Sequence, residues 1–293
     1  AGSAGGTLNV TGTFGTATNF LKFTTAPTLT PATTGILNRV TVNGNELAAY
    51  GANGVVPFTA YSPATNILSA TATQTFKATG ATINSLGGPQ TLNALTINNT
   101  AAVGGLGGNP PTTLTLTSGT ILANGTGGAF LNVPIVAFAG VEGIIHVQSG
   151  QSLTVNSGMS GTGGLSKDLP GTLNINAQQF VSGTTYVNGG TLKLTSSGVT
   201  NPLLYNQGLA VNVGGTLDLN GQNQFVAGLS SASAGGSTGI GGGMVTNTGA
   251  GQSILTINGN TNFAGVISGD IYLNKTGTGA LNLQNAQTYS GPT

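Results

Sequence analysis

The sequence predicts an all-β chain, a right-handed parallel β-helix (β-solenoid) over residues 1–293 with a Pro-containing N-terminal excursion. Three observations predict it. The first is an internal repeat. Residues 161–194 read GTGGLSKDLPGTLNINAQQFVSGTTYVNGGTLKL, and an incomplete second copy at 268–293 reads SGDIYLNKTGTGALNLQNAQTYSGPT, aligned without gaps at a constant offset. Gly161, Leu165, Lys167, Gly171, Leu173, Gly183 and Thr185 recur as Gly269, Leu273, Lys275, Gly279, Leu281, Gly291 and Thr293. Both copies alternate apolar and small polar residues in short runs broken by glycine, the pattern of half-buried strands with tight corners. The second observation is spacing. Leu153, Leu173, Leu192 and Leu217 follow one another at steps of 20, 19 and 25 residues, which suits a solenoid turn of roughly 20 residues with insertions of a few residues at its corners. The third is composition. With 4% charged and 5% aromatic residues but 51 glycines, the chain cannot build a thick aromatic core. A mean hydropathy of +0.19 still separates it from disordered chains. Stacked rungs around a thin continuous core satisfy both facts, with like residues laddering, in a rod on the order of 70 Å long.

Taken in order, residues 1–24 carry the hexad Gly5-Gly6-Thr7-Leu8-Asn9-Val10 and an alternation ending at Phe20-Leu21-Lys22-Phe23. Over 24–65, Pro27, Pro31, Pro57 and Pro63 remove ladder donors, so this stretch reads as an excursion. Its Val42-Asn43-Gly44-Asn45 predicts a hairpin, because Asn and Gly accept the positive φ of a tight turn. The strand pattern returns over 66–117, where Leu95 and Leu114 again stand about one turn apart. Residues 118–150 include LNVPIVAFAGVEGIIHVQSG, the densest apolar run and the expected site of the best-buried strands. Leu217 to Leu255 spans about two such turns. Residues 231–252 are a Gly-rich stretch of low complexity within the solenoid, with Ile240 and Met244–Val245 expected to supply one irregular rung.

The second repeat stops at Gly291-Pro292-Thr293, before the ending Gly189-Gly190-Thr191-Leu192-Lys193-Leu194 of the first. That ending stands at the front of the chain as residues 5–10, and again as Gly214-Gly215-Thr216-Leu217-Asp218-Leu219. Tail joined to head would complete the repeat with one extra residue. The expectation is therefore a structural subunit that assembles head to tail with identical subunits. Gly5, Gly6, Thr7, Leu8 and Val10 of one copy would complete the rung carrying Leu281, Leu283, Tyr289, Gly291 and Thr293 of the next, by strand addition. A contact of that kind does not close on itself and propagates as a fibre.

Other functions find little support. A net charge of +1 with singly scattered Lys and Arg argues against a nucleic-acid or anionic-membrane partner. The absence of cysteine removes disulfides and thiolate chemistry. No apolar run is long enough to span a bilayer as a helix. The first residue is Ala and no signal peptide precedes it, so either a leader has been removed or the chain is a segment of something longer. The five acids, Glu46, Glu142, Asp168, Asp218 and Asp270, are isolated in sequence, whereas glycan hydrolysis needs paired carboxylates. They read as solvated or turn-capping groups. His146 is the only histidine; Glu142 four positions before it would share its side of a strand, but no nucleophile is evident, and one His without Cys makes no closed metal site. No catalysis and no cofactor are expected. Lys167 and Lys275 read as solvated charges that discourage sheet aggregation, or as one half of an ion pair across a subunit joint or to Asp270. Four Asn-x-Thr sequences, at Asn9, Asn98, Asn124 and Asn274, are expected by chance in so Asn/Thr-rich a chain.

The run GxGGLxK…GTLxL…GTTxVNxGTLxL, the lead-in NTNFAGVISG at 260–269 and the segment GGTLDLNGQNQ at 214–224 resemble the autotransporter-associated β-strand repeat of bacterial surface proteins. The likeness covers about residues 150–293. It implies a parallel β-helix at the cell surface or outside the cell, with no catalytic residue in the repeat. It also implies a second functional reading, a segment of an autotransporter-type passenger acting as adhesin or surface coat, for which surface glycans or a host surface would be the partners. Two departures stand out: Asp168-Leu169-Pro170 replaces the small Gly-containing turn of the family, and a C-terminal membrane barrel is lacking from the sequence.

Overall fold

The computed structural model describes residues 4–32, 34–64, 67–79, 84–99, 103–108, 112–231 and 241–293. The chain is an all-β parallel solenoid of about eight turns, in which three short strands make one turn. One face is a ten-stranded ladder that passes from Asn84–Leu86 through Ser152–Val155, Thr172–Ile175, Gly190–Leu194 and Gly215–Asp218 to Thr288–Tyr289. The second face runs through Ile135–Ala137, Gly158–Gly161 and Phe180–Val181, then through Gln224–Val226, Ser253–Ile257 and Ile271–Lys275. The third carries Gly143–Val147, Leu165–Asp168, Thr184–Val187, Gly208–Val211 and Gly228–Ser230, with the pair Thr261–Phe263 and Leu281–Leu283 further along it. Near the start, the long strands Gln90–Asn99 and Thr113–Gly125 serve two faces at once, with a register shift between Leu92 and Ala94 where the chain rounds the corner.

The leucine spacing has a direct structural counterpart. Leu153, Leu173, Leu192 and Leu217 stack in register on the ten-stranded face and are fully buried. Val155, Ile175 and Leu194 form a parallel ladder two positions on. Two other spacings mean something else. Leu217 next meets Val245, so Met244–Thr246 is the rung strand, while Leu255 lies on the second face in register with Gln224. Leu95 pairs with Ile121, and Leu114 with Gln90. In both cases the corners carry extra residues, which a constant count passes over. Ile240 lies outside the described residues. In the dense apolar run, every residue of Gly143–Val147 is buried.

At about 4.8 Å per strand the ten-stranded face is about 45 Å tall, shorter than the spacing argument predicts. The difference lies at the N-terminus, which folds beside the solenoid. Leu37–Val42 and Glu46–Gly51 form the expected hairpin around Asn43 and Gly44, both in left-handed conformation (φ 53° and 66°). Gly54–Pro57 adds antiparallel on one side, and Leu8–Val10 adds parallel on the other. The strand of the first hexad therefore belongs to this four-stranded sheet. At the start of the solenoid the 3-10 turn Ile67–Ser69 inserts Ile67 under the first rungs. No helix among the described residues is long and apolar enough to cross a membrane.

The sequence repeat is also a structural one, strand for strand. Gly158–Gly161, Leu165–Asp168, Thr172–Ile175 and Phe180–Val181 correspond to Val266–Gly269, Ile271–Lys275, Leu281–Leu283 and Thr288–Tyr289. The copies do not sit on the same faces. Gly158–Gly161 belongs to the second face and Val266–Gly269 to the first. The repeating unit is thus a strand with its corner, and it serves any side of the prism.

Candidate assembly interface

The rung formed by Ile271–Lys275, Leu281–Leu283 and Thr288–Tyr289 is the last described, and among the described residues each of its strands has a partner strand on one edge only. Its apolar side chains are incompletely covered. Leu281, Leu283 and Tyr289 pack against the core but stay half-buried, whereas their counterparts Leu173, Ile175 and Val181 are 0%, 0% and 3% exposed. Gly291 is half-buried, and Thr293 is exposed with its hydroxyl 2.6 Å from Tyr289 Oη. Pro292 already begins the next layer, because its carbonyl accepts from Leu273 N at 3.0 Å. An edge of this kind, backbone groups unpaired over half-covered apolar side chains, is a template for another strand.

Gly5–Val10 lies elsewhere, on the flank of its own solenoid. Gly5 N donates to both carboxylate oxygens of Glu142 (3.1 and 3.2 Å), and Asn188 Nδ2 donates to Gly5 O at 2.6 Å. Gly6 O accepts from Arg39, and Thr7 Oγ1 lies 3.4 Å from Asn188 Nδ2. Val10 is buried in the hairpin sheet, while Leu8 is 44% exposed. The two groups of residues expected to meet do not contact each other within one chain. The φ of Gly5, +78°, is close to the +83° of Gly214, which opens the third hexad, whereas in the first copy the left-handed residue is the second glycine, Gly190 (φ 60°).

The N-terminal sheet is held by charges that are scattered in sequence and gathered in space. Arg39 and Glu142 pair at 2.5 Å, and Ser166 also donates to Glu142. Lys77 and Glu46 pair at 2.7 Å, with Tyr61 donating to the same carboxylate at 2.6 Å. Burial, reinforced by Glu46, raises the Tyr61 pKa. His146, fully buried, sits with Nδ1 2.5 Å from Asp168 Oδ1 and Nε2 3.2 Å from Asn38 O. Both ring nitrogens face acceptors, so both carry protons and the ring is an imidazolium. Burial works against that charge. The Asp168 carboxylate, through its charge and its hydrogen bond, together with the Asn38 carbonyl, outweighs burial and leaves the pKa above its ordinary value. An apolar seam, Ile36, Leu47 and Phe58 against Ala94, Leu122 and Leu169, completes the contact. His146 is therefore partnered by Asp168, one rung further on, rather than by Glu142, and the two acids are neither solvated nor turn caps.

Lys167 corrects a second expectation: it is fully buried. It shares the parity of Leu165 and stacks in register between Ile145 and Val187, so it points inward. At the corner its ammonium donates to Leu169 O (2.7 Å), Gly171 O (2.5 Å) and, from the following rung, Gly189 O (2.7 Å). Burial pushes its pKa down to about 7, against the pull of Asp168. Lys275 has the same inward parity, stacked on Ile257, but is half-buried and among the described residues donates to Thr276 O and, at 3.4 Å, Asn258 O. Asp270 is instead bonded by Gln252 at 2.9 Å. Gln179 and Gln287, at matched positions of the two copies, brace other corners alike: each amide oxygen accepts from a backbone N–H of the previous turn, Met159 or Ile267. Polar residues kept at matched repeat positions were the available signal for these inward-facing groups. Of the Asn-x-Thr sequences, Asn124 is buried and bonded to Asn45 O, and Asn9 Oδ1 accepts from Gly44 N.

Among the described residues no three His, Asp or Glu side chains gather as a metal-binding group. No protein-family model, no curated protein and no solved structure matches the chain.

Proposed function

We propose that this protein is a structural subunit that extends end to end into an extracellular filament. The last rung accepts a strand, and residues 5–10 of a neighbouring copy supply it. The observation that carries the reading is the half-covered state of Leu281, Leu283 and Tyr289 beside the full burial of their counterparts. In the first copy the burial of Leu173 and Ile175 is completed by Gly190–Leu194, where Leu192 covers Leu173 and Leu194 covers Ile175. By the same alignment Leu8 would cover Leu281, and Val10 would cover Leu283. Leu8, 44% exposed on the flank, gains burial on transfer. The flank contacts at Glu142, Arg39 and Asn188, and the pairing with Leu37–Val42, must be given up. Assembly is then an exchange of one strand partner for another.

Removal of residues 4–10 is the test. Electron micrographs should show filaments for the intact chain and none for the truncated one, while the β-type circular dichroism of both is alike. Filaments that persist after truncation would exclude strand donation. The docking of Gly5–Val10 on its own flank favours a second reading, in which the chain is a segment of a longer surface passenger, adhesive or protective, whose next rungs continue in the same polypeptide. Intact mass separates the two: near 28.6 kDa for separate subunits, well above it for a longer chain.

A further inference from the structure

We infer that Lys275 is the polar contact that selects the incoming copy at the joint, its ammonium taking the backbone carbonyl of that copy's Gly5. The inference rests on the end-to-end reading above. Lys167 defines what such a corner requires. A lysine buried among the inward side chains needs acceptors for all three N–H groups. The first copy provides two carbonyls from its own corner, Leu169 and Gly171, and a third from the rung that follows, Gly189. Lys275 occupies the matching place in the second copy but is bonded differently, to Thr276 O and, at 3.4 Å, to Asn258 O of the preceding rung, and no further rung lies over it among the described residues to supply the third kind of partner.

The group that fills the third position in the first copy is the first glycine of the hexad Gly189-Gly190-Thr191-Leu192-Lys193-Leu194. In the hexad at 5–10 that residue is Gly5. On the flank the Gly5 carbonyl is engaged by the neutral amide of Asn188 at 2.6 Å. At the joint it would meet a cation as well positioned as that of Lys167, and hydrogen bonds with one charged partner are about twice as strong as neutral ones. The occupant is a second copy of this chain, because it is the Gly-Gly start, placed ahead of the two apolar residues that cover Leu281 and Leu283, that satisfies the ammonium and the apolar side chains together. The contact also rejects poor fits. A strand added out of register by a single position would leave the ammonium without its carbonyl and turn both leucines away from their partners.

The experiment compares the intact chain, Lys275→Met and the 4–10 truncation by light scattering and electron microscopy over a range of protein concentrations. Thermal unfolding of dilute, unassembled protein runs alongside. Lys275→Met keeps the apolar stem and removes the ammonium. It should raise the concentration needed for assembly about tenfold or more and leave the dilute melting curve within a degree or two. If Lys275→Met assembles at the wild-type concentration while the truncation does not assemble, strand donation stands and the Lys275 contact is wrong. If the intact chain forms no filaments at any concentration, the end-to-end reading fails and this inference falls with it.

Discussion

The two repeat copies share a backbone plan and differ in what lies against them. In the first, the corner after Lys167 reads Asp168-Leu169-Pro170; in the second, the corner after Lys275 reads Thr276-Gly277-Thr278. Leu169 and Gly277 occupy the same left-handed position, at φ 62° and 69°. Glycine takes that conformation without strain, whereas for leucine it costs about 1–2 kcal/mol. Leu169 tolerates it because its side chain is buried against Ile36, Leu47 and Phe58 of the N-terminal sheet, and covering a leucine contributes about 1.5–3 kcal/mol. The side chains of Ser166 and Asp168 in the same strand hold Glu142 and His146; those of their counterparts Asn274 and Thr276 bond the neutral Thr256 and Asn258 instead. The lesson is that three outward residues convert a generic rung into a docking surface, while the inward pattern stays unchanged.

The contrast can be broken hardest at Asp168. Asp168→Ala strips the partner from a sealed imidazolium, and losing one member of a buried pair costs about 3–5 kcal/mol. Urea unfolding should register a loss of that size, whereas Thr276→Ala at the matching site should stay within about 0.5 kcal/mol. Next come the two leucines. Leu173→Ala empties a fully buried site and should cost about 2–5 kcal/mol, and Leu281→Ala clearly less in dilute protein. Under assembling conditions the gap should narrow, and a gap that stays constant would count against a covered Leu281. Third, Gly277→Leu should cost about 1–2 kcal/mol: the left-handed backbone is strained and a Cβ would stand 2.5 Å from Asn258 O. Nothing packs there to offset it. Leu169→Gly should also destabilise, so exchange in either direction is unfavourable.

The gentlest probe is pH. The folded-state pKa of His146 lies above the ordinary 6.5. Its contribution is therefore complete below about pH 6.5 and is lost as pH rises through the raised value. The other charged groups around it are Asp168 beside the ring, the Arg39–Glu142 pair in the same seam and Lys167 on the inward side of the neighbouring strand. Lys167, whose pKa is lowered, acts in the opposite sense on the solenoid interior, so global unfolding blends the two. Limited proteolysis of the N-terminal segment isolates the seam: cleavage near residues 4–10 should accelerate as pH rises from 6 in the wild type, and His146→Gln should remove that pH dependence.

Much of this was legible in the chain. Leu153, Leu173, Leu192 and Leu217 announce the ladder because the turns between them, 20, 19 and 25 residues, stay close to one rung, and Asn43-Gly44 announces its hairpin because few other pairs accept two positive φ angles. What stayed hidden depends on which residues stacking makes neighbours. His146 and Asp168 meet across one rung, a relation that no local pattern marks. Lys167 looks like a surface charge until its parity with Leu165 is followed inward. The N-terminal hexad resembles a rung strand and is one in backbone, yet Glu142, Arg39 and Asn188 hold it on the flank, through contacts between parts of the chain far apart in sequence.

That the same motif sits on different sides of the prism has a consequence for how such a molecule can lengthen. A single strand-and-corner inserted anywhere advances everything after it by a third of a revolution, like a nut turned on its thread, without disturbing the inward ladder. Ahead of position 169 that advance would swing Ser166, Asp168 and Leu169 out from beneath the docked sheet, so the count there is locked. Beyond the docked region no such lock operates, and length there is free to drift.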